Sequence, residues 1–129
     1  MSADLLDVSL SSDERQLLHN GLNEWRGPAR CTEEFAIAMG FRSLEVMFQE
    51  IGRLIGAIDD IEPLAAGDWV RALIMTEVVF ASDVVGSGVE WTITTGLTDQ
   101  ETVVTLRGLQ RKLLRAGVRW ADLGGTRPP

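Results

Sequence analysis

The segment 69–85, WVRALIMTEVVFASDVV, is the feature that most constrains how this chain can fold. Its polar residues are scattered around a helical projection and share no face: Arg71, Thr76, Glu77, Ser82 and Asp83. A helix that is apolar on all sides is normally buried. It is shorter than the ~20 residues that a membrane span needs, and it carries three charges. We therefore predict a buried central helix over 69–85, capped by Asp68 and ended by residues 86–88.

Other helix signals flank this segment on both sides. Ser11 and Thr98 each precede a glutamate by three residues, which is the capping box that opens a helix. The predicted helices run from Ser11 to about Trp25, from Thr32 to Gly40, from Ser43 to an acidic loop at 59–62, and from Thr98 to about Ala116, before Gly117. These segments predict a mainly α, single-domain bundle of about five helices around the central helix.

Two short segments alternate between apolar and polar residues, which is the period of a β-strand. They are residues 5–10 and residues 89–94. A lone strand needs a partner, so the pair predicts a small two-stranded ribbon, with an extended loop at 89–94 as the alternative. We assign residues 1–120 to one helical domain, with Trp120 folded back on it, and predict a disordered C-terminal tail over 121–129.

The charge balance limits the class of partner and the compartment. The 129 residues carry a net charge of −7, which disfavours non-specific binding to nucleic acid or to anionic membranes. The first ten residues lack a secretory signal, and no apolar run is long enough to span a bilayer. The single cysteine, Cys31, excludes an internal disulfide and is typical of a reducing compartment, so we expect a cytoplasmic protein.

No group of residues in the sequence has the spacing of a catalytic or metal site. The single histidine, His19, lacks metal-type partners, and Cys31 is followed closely by Glu33 and Glu34, which oppose a thiolate. The four tryptophans are expected to serve as core or interface aromatics: Trp25, Trp69, Trp91 and Trp120. We therefore predict a protein that is not an enzyme and that uses no cofactor and no metal.

Glu77 is the most unusual charge of the chain because it lies in the predicted buried helix. A buried carboxylate is costly unless it is paired. Arg71 lies about 120° away around the same helix, so the partner must come from another element. We expect a buried ion pair with Arg42, with Arg53 or with an arginine of the last helix.

The two ends of the chain have opposite charge. Residues 1–101 hold 18 acidic and 6 basic side chains, whereas residues 102–129 hold 1 acidic and 6 basic side chains. One interpretation is that the basic last helix docks on the acidic body; the other is that one of these faces binds another macromolecule. The candidate interface residues are Arg107, Arg111 and Arg115 on the last helix and Asp59, Asp60 and Glu62 in the acidic loop.

From this charge pattern we predict a protein–protein interaction module. An immunity-like or antitoxin-like protein, or a regulatory binder of a basic partner, has this composition, and a homodimer is left open as the partner. Binding to nucleic acid or to a membrane is not expected.

The segment 32–49, TEEFAIAMGFRSLEVMFQ, supports an alternative function. It resembles a DNA-binding helix-turn-helix, with Ala36 at the small position and Gly40 at the turn position. Gln49 departs from the motif, which has an apolar residue there. The second helix also carries Glu45 and Glu50, whereas phosphate contacts need basic side chains.

Overall fold

The computed structural model describes residues 4–27, 31–119 and 121–125. In chain order its elements are β1 (Leu5–Leu6), α1 (Ser12–Glu24), α2 (Glu33–Ala38), α3 (Leu44–Asp59), β2 (Leu64–Ala65), α4 (Ala66–Ala81), a 3-10 turn (Gly88–Glu90), α5 (Trp91–Thr95), α6 (Asp99–Arg115) and α7 (Asp122–Gly125). The predicted mainly α fold with a two-stranded ribbon is confirmed. Within these ranges, none of the helices could cross a membrane.

Helix α4 lies at the centre of the bundle, as its apolar pattern predicts. It packs against α1, α6 and α7, and Ala81 at its end is its one exposed residue. Helix α1 shares this central position, because it contacts α3, α4 and α6. Leu17, Leu18 and Leu22 of α1 are at most 1% exposed, so they form the middle of the core. The two central helices together set the positions of the others.

Helices α1 and α4 approach each other closely at Gly21. A Cβ atom added at Gly21 would lie 2.6 Å from Cγ2 and 2.7 Å from Cβ of Thr76, and closer still to its Oγ1. These separations are too short for real atoms, so the contact between the helices depends on the missing side chain. Thr76 is fully buried, and its hydroxyl has no hydrogen-bond partner among the described residues.

The start of α4 differs from the predicted one. The helix begins at Ala66, directly after β2, and its N-cap residue, Ala65, makes no side-chain cap bond. Asp68 is therefore inside the first turn and is not the cap. Its Oδ1 accepts a hydrogen bond of 2.9 Å from Nη2 of Arg53 and lies 3.7 Å from Nη1 of Arg71. A carboxylate there still favours the helix, through its dipole.

The end of α4 comes four residues before the predicted end. Ser82 leaves the helical conformation, and its hydroxyl accepts hydrogen bonds from the amides of Val84 and Val85. The chain then returns, and the amide of Ser87 donates to the carbonyl of Val79 over 2.8 Å. Residues 86–88 thus pack back on the helix and do not cap it. This close approach requires a glycine at position 86, because a Cβ atom there would lie 2.5 Å from the carbonyl oxygen of Val79.

The predicted strand at 89–94 is wrong, because this segment is helical. It forms the 3-10 turn and α5, in which Trp91 is fully buried while Val89 and Ile93 are 80% and 82% exposed. Residues four apart lie on one face of a helix, and residues two apart lie on one face of a strand. Val89 and Ile93 can therefore face solvent while Trp91 faces the core in either structure. A short alternating run cannot distinguish the two.

The ribbon has β1 as its first strand and β2 as its second. Leu5 pairs with Ala65 and Leu6 with Leu64 in an antiparallel register. Trp69 fixes this ribbon to α4, since its indole Nε1 donates to the carbonyl of Leu6 over 3.0 Å. The second strand has only two residues, too few to show a period in the sequence.

The predicted C-terminal tail contains a helical turn. Helix α7 packs on α4, and Leu123 packs against the core. The guanidinium of Arg71, which is buried, donates to the carbonyls of Met39 and Leu123, each over 3.3 Å. Residues 122–125 are therefore helical, and the disorder of the tail stays a prediction. Trp120 and residues 126–129, to which the sequence analysis also assigns positions, lie outside the described residues.

Glu14 of α1 is a buried carboxylate that joins the first and last long helices. Its Oε1 accepts hydrogen bonds from the Ser11 amide, over 2.8 Å, and from Nζ of Lys112, over 2.7 Å. Burial raises the pKa of Glu14, but the bonds and charge of Lys112 and the bonds to Ser11 outweigh it, so the pKa lies below its ordinary value. Lys112 is thus the cation of the last helix that docks on the body.

This lowered pKa predicts an acid-sensitive contribution to stability. Because folding favours the ionised carboxylate, the contribution is complete above the unfolded-state pKa and is lost as pH falls through the folded-state pKa. We expect Glu14→Gln, which keeps the capping box, to flatten the fall in unfolding free energy below about pH 5. Urea unfolding between about pH 3 and pH 7 measures this. Glu45→Gln, at an exposed position, is the control. An equal dependence of the unfolding free energy on pH for Glu14→Gln and the wild type would contradict the prediction.

Candidate interaction surfaces

The acidic loop of the sequence analysis is exposed and gains a further carboxylate from the N-terminus. Asp59, Asp60 and Glu62 follow one another at the end of α3 and are all exposed. Because β1 pairs with β2, Asp7 is brought beside them and lines one small hollow together with Ile61 and Glu62. We call these five residues, Asp7, Asp59, Asp60, Ile61 and Glu62, the acidic surface.

Ile61 is the unusual member of the acidic surface. Its side chain is 63% exposed, and its φ is +58°. A β-branched residue in this left-handed region is an outlier, because its side chain crowds the backbone. Ile61 directly follows the C-cap of α3, where the Glu62 amide donates to the Ala57 carbonyl over 2.8 Å, a position that glycine usually occupies. Strained residues of this kind also cluster at binding sites. The structure thus places one apolar, strained side chain next to Asp60 and Glu62 in the chain, in a hollow that is also lined by Asp7 and Arg15.

His19 contacts the acidic surface at its edge. Its Nδ1 lies 3.0 Å from both carboxylate oxygens of Asp59, which ties α1 to the end of α3. The side chains of both residues are partly exposed. Among residues 4–27, 31–119 and 121–125, no cluster of histidine, cysteine and acidic side chains could hold a metal ion. The geometry is that of a polar contact between two helices.

The three predicted interface arginines lie on α6 and are exposed. Arg107, Arg111 and Arg115 form no ion pair with any residue that the structure describes. Arg107 and Arg111 line an open depression with Gln110 and Leu114, and Leu114 is 56% exposed. The interpretation that the basic helix docks on the acidic body therefore fits Lys112, whereas the arginine face points to solvent.

Glu77 is half-buried, and its partner is neutral. Its Oε2 accepts a hydrogen bond of 2.6 Å from Nε2 of Gln110 on α6. The ion pair with an arginine that the sequence predicts is absent from the described residues, although the last helix does supply the partner. The incomplete burial of Glu77 explains why an amide suffices, since water can solvate the rest of the carboxylate.

Cys31 is half-buried, and the hydrogen bonds of its thiol within the described residues involve no basic side chain. Burial raises the pKa of its thiol, an effect that a hydrogen bond with the backbone of Thr32 only partly offsets. The sulfur lies 3.7 Å from Sδ of Met47, in a contact typical of packing. A thiol held in its neutral form is a poor nucleophile.

The structure adds a buried polar cluster around Glu24 that the sequence analysis missed. Glu24 is 6% exposed, and its Oε1 accepts hydrogen bonds from the hydroxyls of Ser87 over 2.7 Å and Thr94 over 2.5 Å. These residues are 63 and 70 positions away in the chain, so no local pattern could reveal them. The cluster fastens the segment after α4 to the end of α1.

The tryptophans that the structure describes belong to the core, as predicted. Trp25 stacks on Phe35 with ring centroids 4.7 Å apart, and its Nε1 donates to the carbonyl of Met75 over 3.0 Å. Trp91 donates to the hydroxyl of Thr102 over 2.8 Å and meets Phe80 edge-on. Each indole N–H is thus bonded inside the fold, as burial of such a group requires.

The segment 32–49 has the local geometry of two helices joined by a tight turn. The hydroxyl of Thr32 caps α2, Gly40 has a φ of +95°, and Ser43 caps α3. Ala36 is fully buried. The nearby cation of α3, Arg53, is held by Glu50 and Asp68, which raise the pKa of its guanidinium.

No protein-family model matches this chain, and neither a curated protein nor a solved structure shows significant similarity to it.

Proposed function

We propose that this chain is a cytoplasmic, non-enzymatic protein–protein interaction module, and that its acidic surface binds a basic protein partner. Ile61 carries the proposal, because an exposed apolar side chain is held there in a strained conformation among carboxylates. An immunity-like or antitoxin-like protein that masks a basic partner is one instance of this function. A regulatory binder is another.

The acidic surface has the composition of a small recognition site. Binding energy at interfaces is concentrated in a few desolvated anchors, with polar groups around them that exclude water. Ile61 supplies the anchor, Asp7 and Glu62 line the same hollow together with Arg15, and Asp60 precedes Ile61 in the chain. Acidic groups of this kind raise the association rate with a basic partner and fix its orientation. Leu5 of strand β1, two residues before Asp7, is a further exposed apolar side chain, at 61%.

Ile61→Asn is expected to change stability and binding in opposite directions. Asparagine tolerates the left-handed conformation, so we expect the free energy of unfolding to rise by about 1 kcal/mol. We expect the same change to weaken binding of the basic partner, because the apolar anchor is lost. Thermal unfolding measures the first effect and titration of the captured partner the second. If Ile61→Asn were less stable than the wild type, the conclusion that the backbone at Ile61 is strained would be wrong.

Affinity capture from the native host tests whether such a partner exists. The first variant changes Asp59, Asp60 and Glu62 to lysine, and the second changes Arg107, Arg111 and Arg115 to glutamate. A matched control changes Glu34, Glu45 and Glu90, which are also exposed, to lysine. We expect a stoichiometric basic protein that is lost with the first variant and kept with the control. Loss with both acidic-to-lysine variants would point to net charge alone, and no captured partner would refute the proposal.

DNA binding is the second candidate function, favoured by the capped helices α2 and α3 and by the left-handed turn at Gly40. We expect no binding of random-sequence duplex DNA even at low salt, since carboxylates face the phosphates from the second helix and Arg53 is already paired. Fluorescence anisotropy of a labelled duplex measures this. Binding that falls steeply with salt and drops on Arg42→Ala would establish DNA binding instead.

A further inference from the structure

We propose that two copies of this chain associate through α6, in an antiparallel pair related by a two-fold axis next to Val103. The observation that leads to this proposal is the order of exposed side chains along one side of α6. Asp99, Val103 and Arg107 follow each other at four-residue intervals, so they lie on one stripe of the helix. All three are exposed, and Val103 is 43% exposed.

The end of this stripe near Asp99 is acidic and apolar. Asp99 lines an open hollow of about 510 Å³ together with Asp83, Phe80, Val89 and Thr92. Val89, 80% exposed, supplies apolar surface beside the two carboxylates. Ile93 and Val84, exposed by 82% and 84%, continue the same segment. Three large apolar side chains are thus exposed between residues 84 and 93 of the chain.

The other end of the stripe is basic and carries an apolar side chain of its own. Arg107 and Arg111 line the depression that also contains Leu114. Neither arginine forms an ion pair with a described residue. Gln110, in the same depression, is bound to Glu77, which fixes the orientation of this part of α6 relative to α4.

A face with an acidic end and a basic end is complementary to its own copy after a half-turn. With the axis next to Val103, each Asp99 lies opposite the partner copy's residue 107, because 99 and 107 are equally far from 103. Leu114 lies about 16 Å from the axis along the helix, beyond the partner copy's Asp99, which lies about 6 Å from the axis. Two antiparallel helices also oppose their dipoles, which is the favourable arrangement. A two-fold contact of this kind closes and leaves no free end for a filament.

The other arrangements of this face are less favourable. A parallel pair of α6 helices would place Arg107 against Arg107 and Asp99 against Asp99, and an axis next to residue 109 would bring the arginines together. Like charges in direct contact cost several kcal/mol at an interface. Of these three arrangements, the one about Val103 places opposite charges against each other on both sides of the axis and an apolar side chain at the axis itself.

Sedimentation velocity of the full chain between about 10 and 500 µM tests the association, since interfaces of ordinary size have affinities from micromolar to picomolar. We expect a species of twice the 14.2 kDa chain mass. Val103→Arg, which places two like charges at the axis, should give a monomer. Asp60→Arg, on the acidic surface, should leave the dimer unchanged, and this control separates the dimer from the proposed partner site.

Charge reversal on opposite sides of the axis gives the decisive result. Asp99→Arg alone and Arg107→Asp alone should each be monomeric. In either variant, residue 99 of each copy has the same charge as residue 107 of the other copy, so both contacts across the axis are repulsive. An equimolar mixture of the two variants should form a 1:1 heterodimer, in which both contacts are again between opposite charges. Recovery on mixing also shows that each variant is folded. A monomeric wild type at every concentration, a dimeric Val103→Arg, or a mixture that stays monomeric would overturn the proposal.

Discussion

Trp91→Ala is expected to lower the free energy of unfolding by roughly 3–5 kcal/mol, the usual cost of removing a large buried aromatic side chain. Trp91 is fully buried, packs edge-on against Phe80 and donates a hydrogen bond of 2.8 Å to the hydroxyl of Thr102. That hydroxyl in turn donates to the carbonyl of Thr98. Truncation therefore leaves a cavity between α4, α5 and α6 and removes one bond of a buried chain.

Two further variants make the Trp91 prediction specific. Trp91→Phe keeps most of the apolar volume and loses the indole N–H, so an intermediate loss is expected. Ile93→Ala, two residues along the same helix at a position that is 82% exposed, should change stability by less than about 0.5 kcal/mol. Urea unfolding measures the unfolding free energy of all three variants, provided that the m-value is unchanged. A Trp91→Ala midpoint equal to that of the wild type would show that Trp91 does not anchor this segment.

Gly21→Ala is expected to destabilise the protein by roughly 1–3 kcal/mol, although alanine is the better helix former. The added Cβ would overlap the Thr76 side chain, with the nearest carbon atoms at 2.6 and 2.7 Å. Both residues lie on central helices with packed neighbours, so relief requires α1 and α4 to move apart. That movement would loosen the contacts of Leu18 and Leu22, which are fully buried.

The same substitution at Gly52 of α3 is the matched control. A Cβ there would meet no atom within 4 Å, so Gly52→Ala should stabilise the protein by about 0.5–1 kcal/mol through helix propensity. The two variants therefore differ in sign for one chemical change. Gly21→Ala should also cost less in a Thr76→Ala background, because Oγ1 and Cγ2 are then absent. A stabilising Gly21→Ala in the wild-type background would disprove the close approach of the two helices.

The sequence determined most helix boundaries, because these depend on neighbouring residues. Ser11, Thr32, Ser43 and Thr98 each cap a helix where their side chains predict it, and Gly117 has the positive φ expected after α6. A cap is a bond between residues three apart, so local composition is sufficient to specify it. The burial of α4 was also predictable, because apolar residues surround its whole circumference.

Only the tertiary structure decided how the segment after α4 folds and what lies on the surface. Residues 89–94 alternate in a way that suits a strand, but Trp91 enters a space between helices and the segment becomes helical. Glu77 meets Gln110, and Glu24 meets Ser87, through contacts between elements 33 and 63 residues apart. Such pairs carry no local signal, since they form only when the helices pack.

The two proposed surfaces show the same division between sequence and structure. The sequence identified the acidic loop and the arginines of α6 by their charge, a property of composition alone. The approach of Asp7 to Glu62 and the left-handed strain at Ile61 required the fold, because β1 reaches the loop only by pairing with β2. Likewise, Asp99 lies beside Val89 because residues 88–95 are helical. This helical segment forms one wall of the hollow at the acidic end of the α6 stripe.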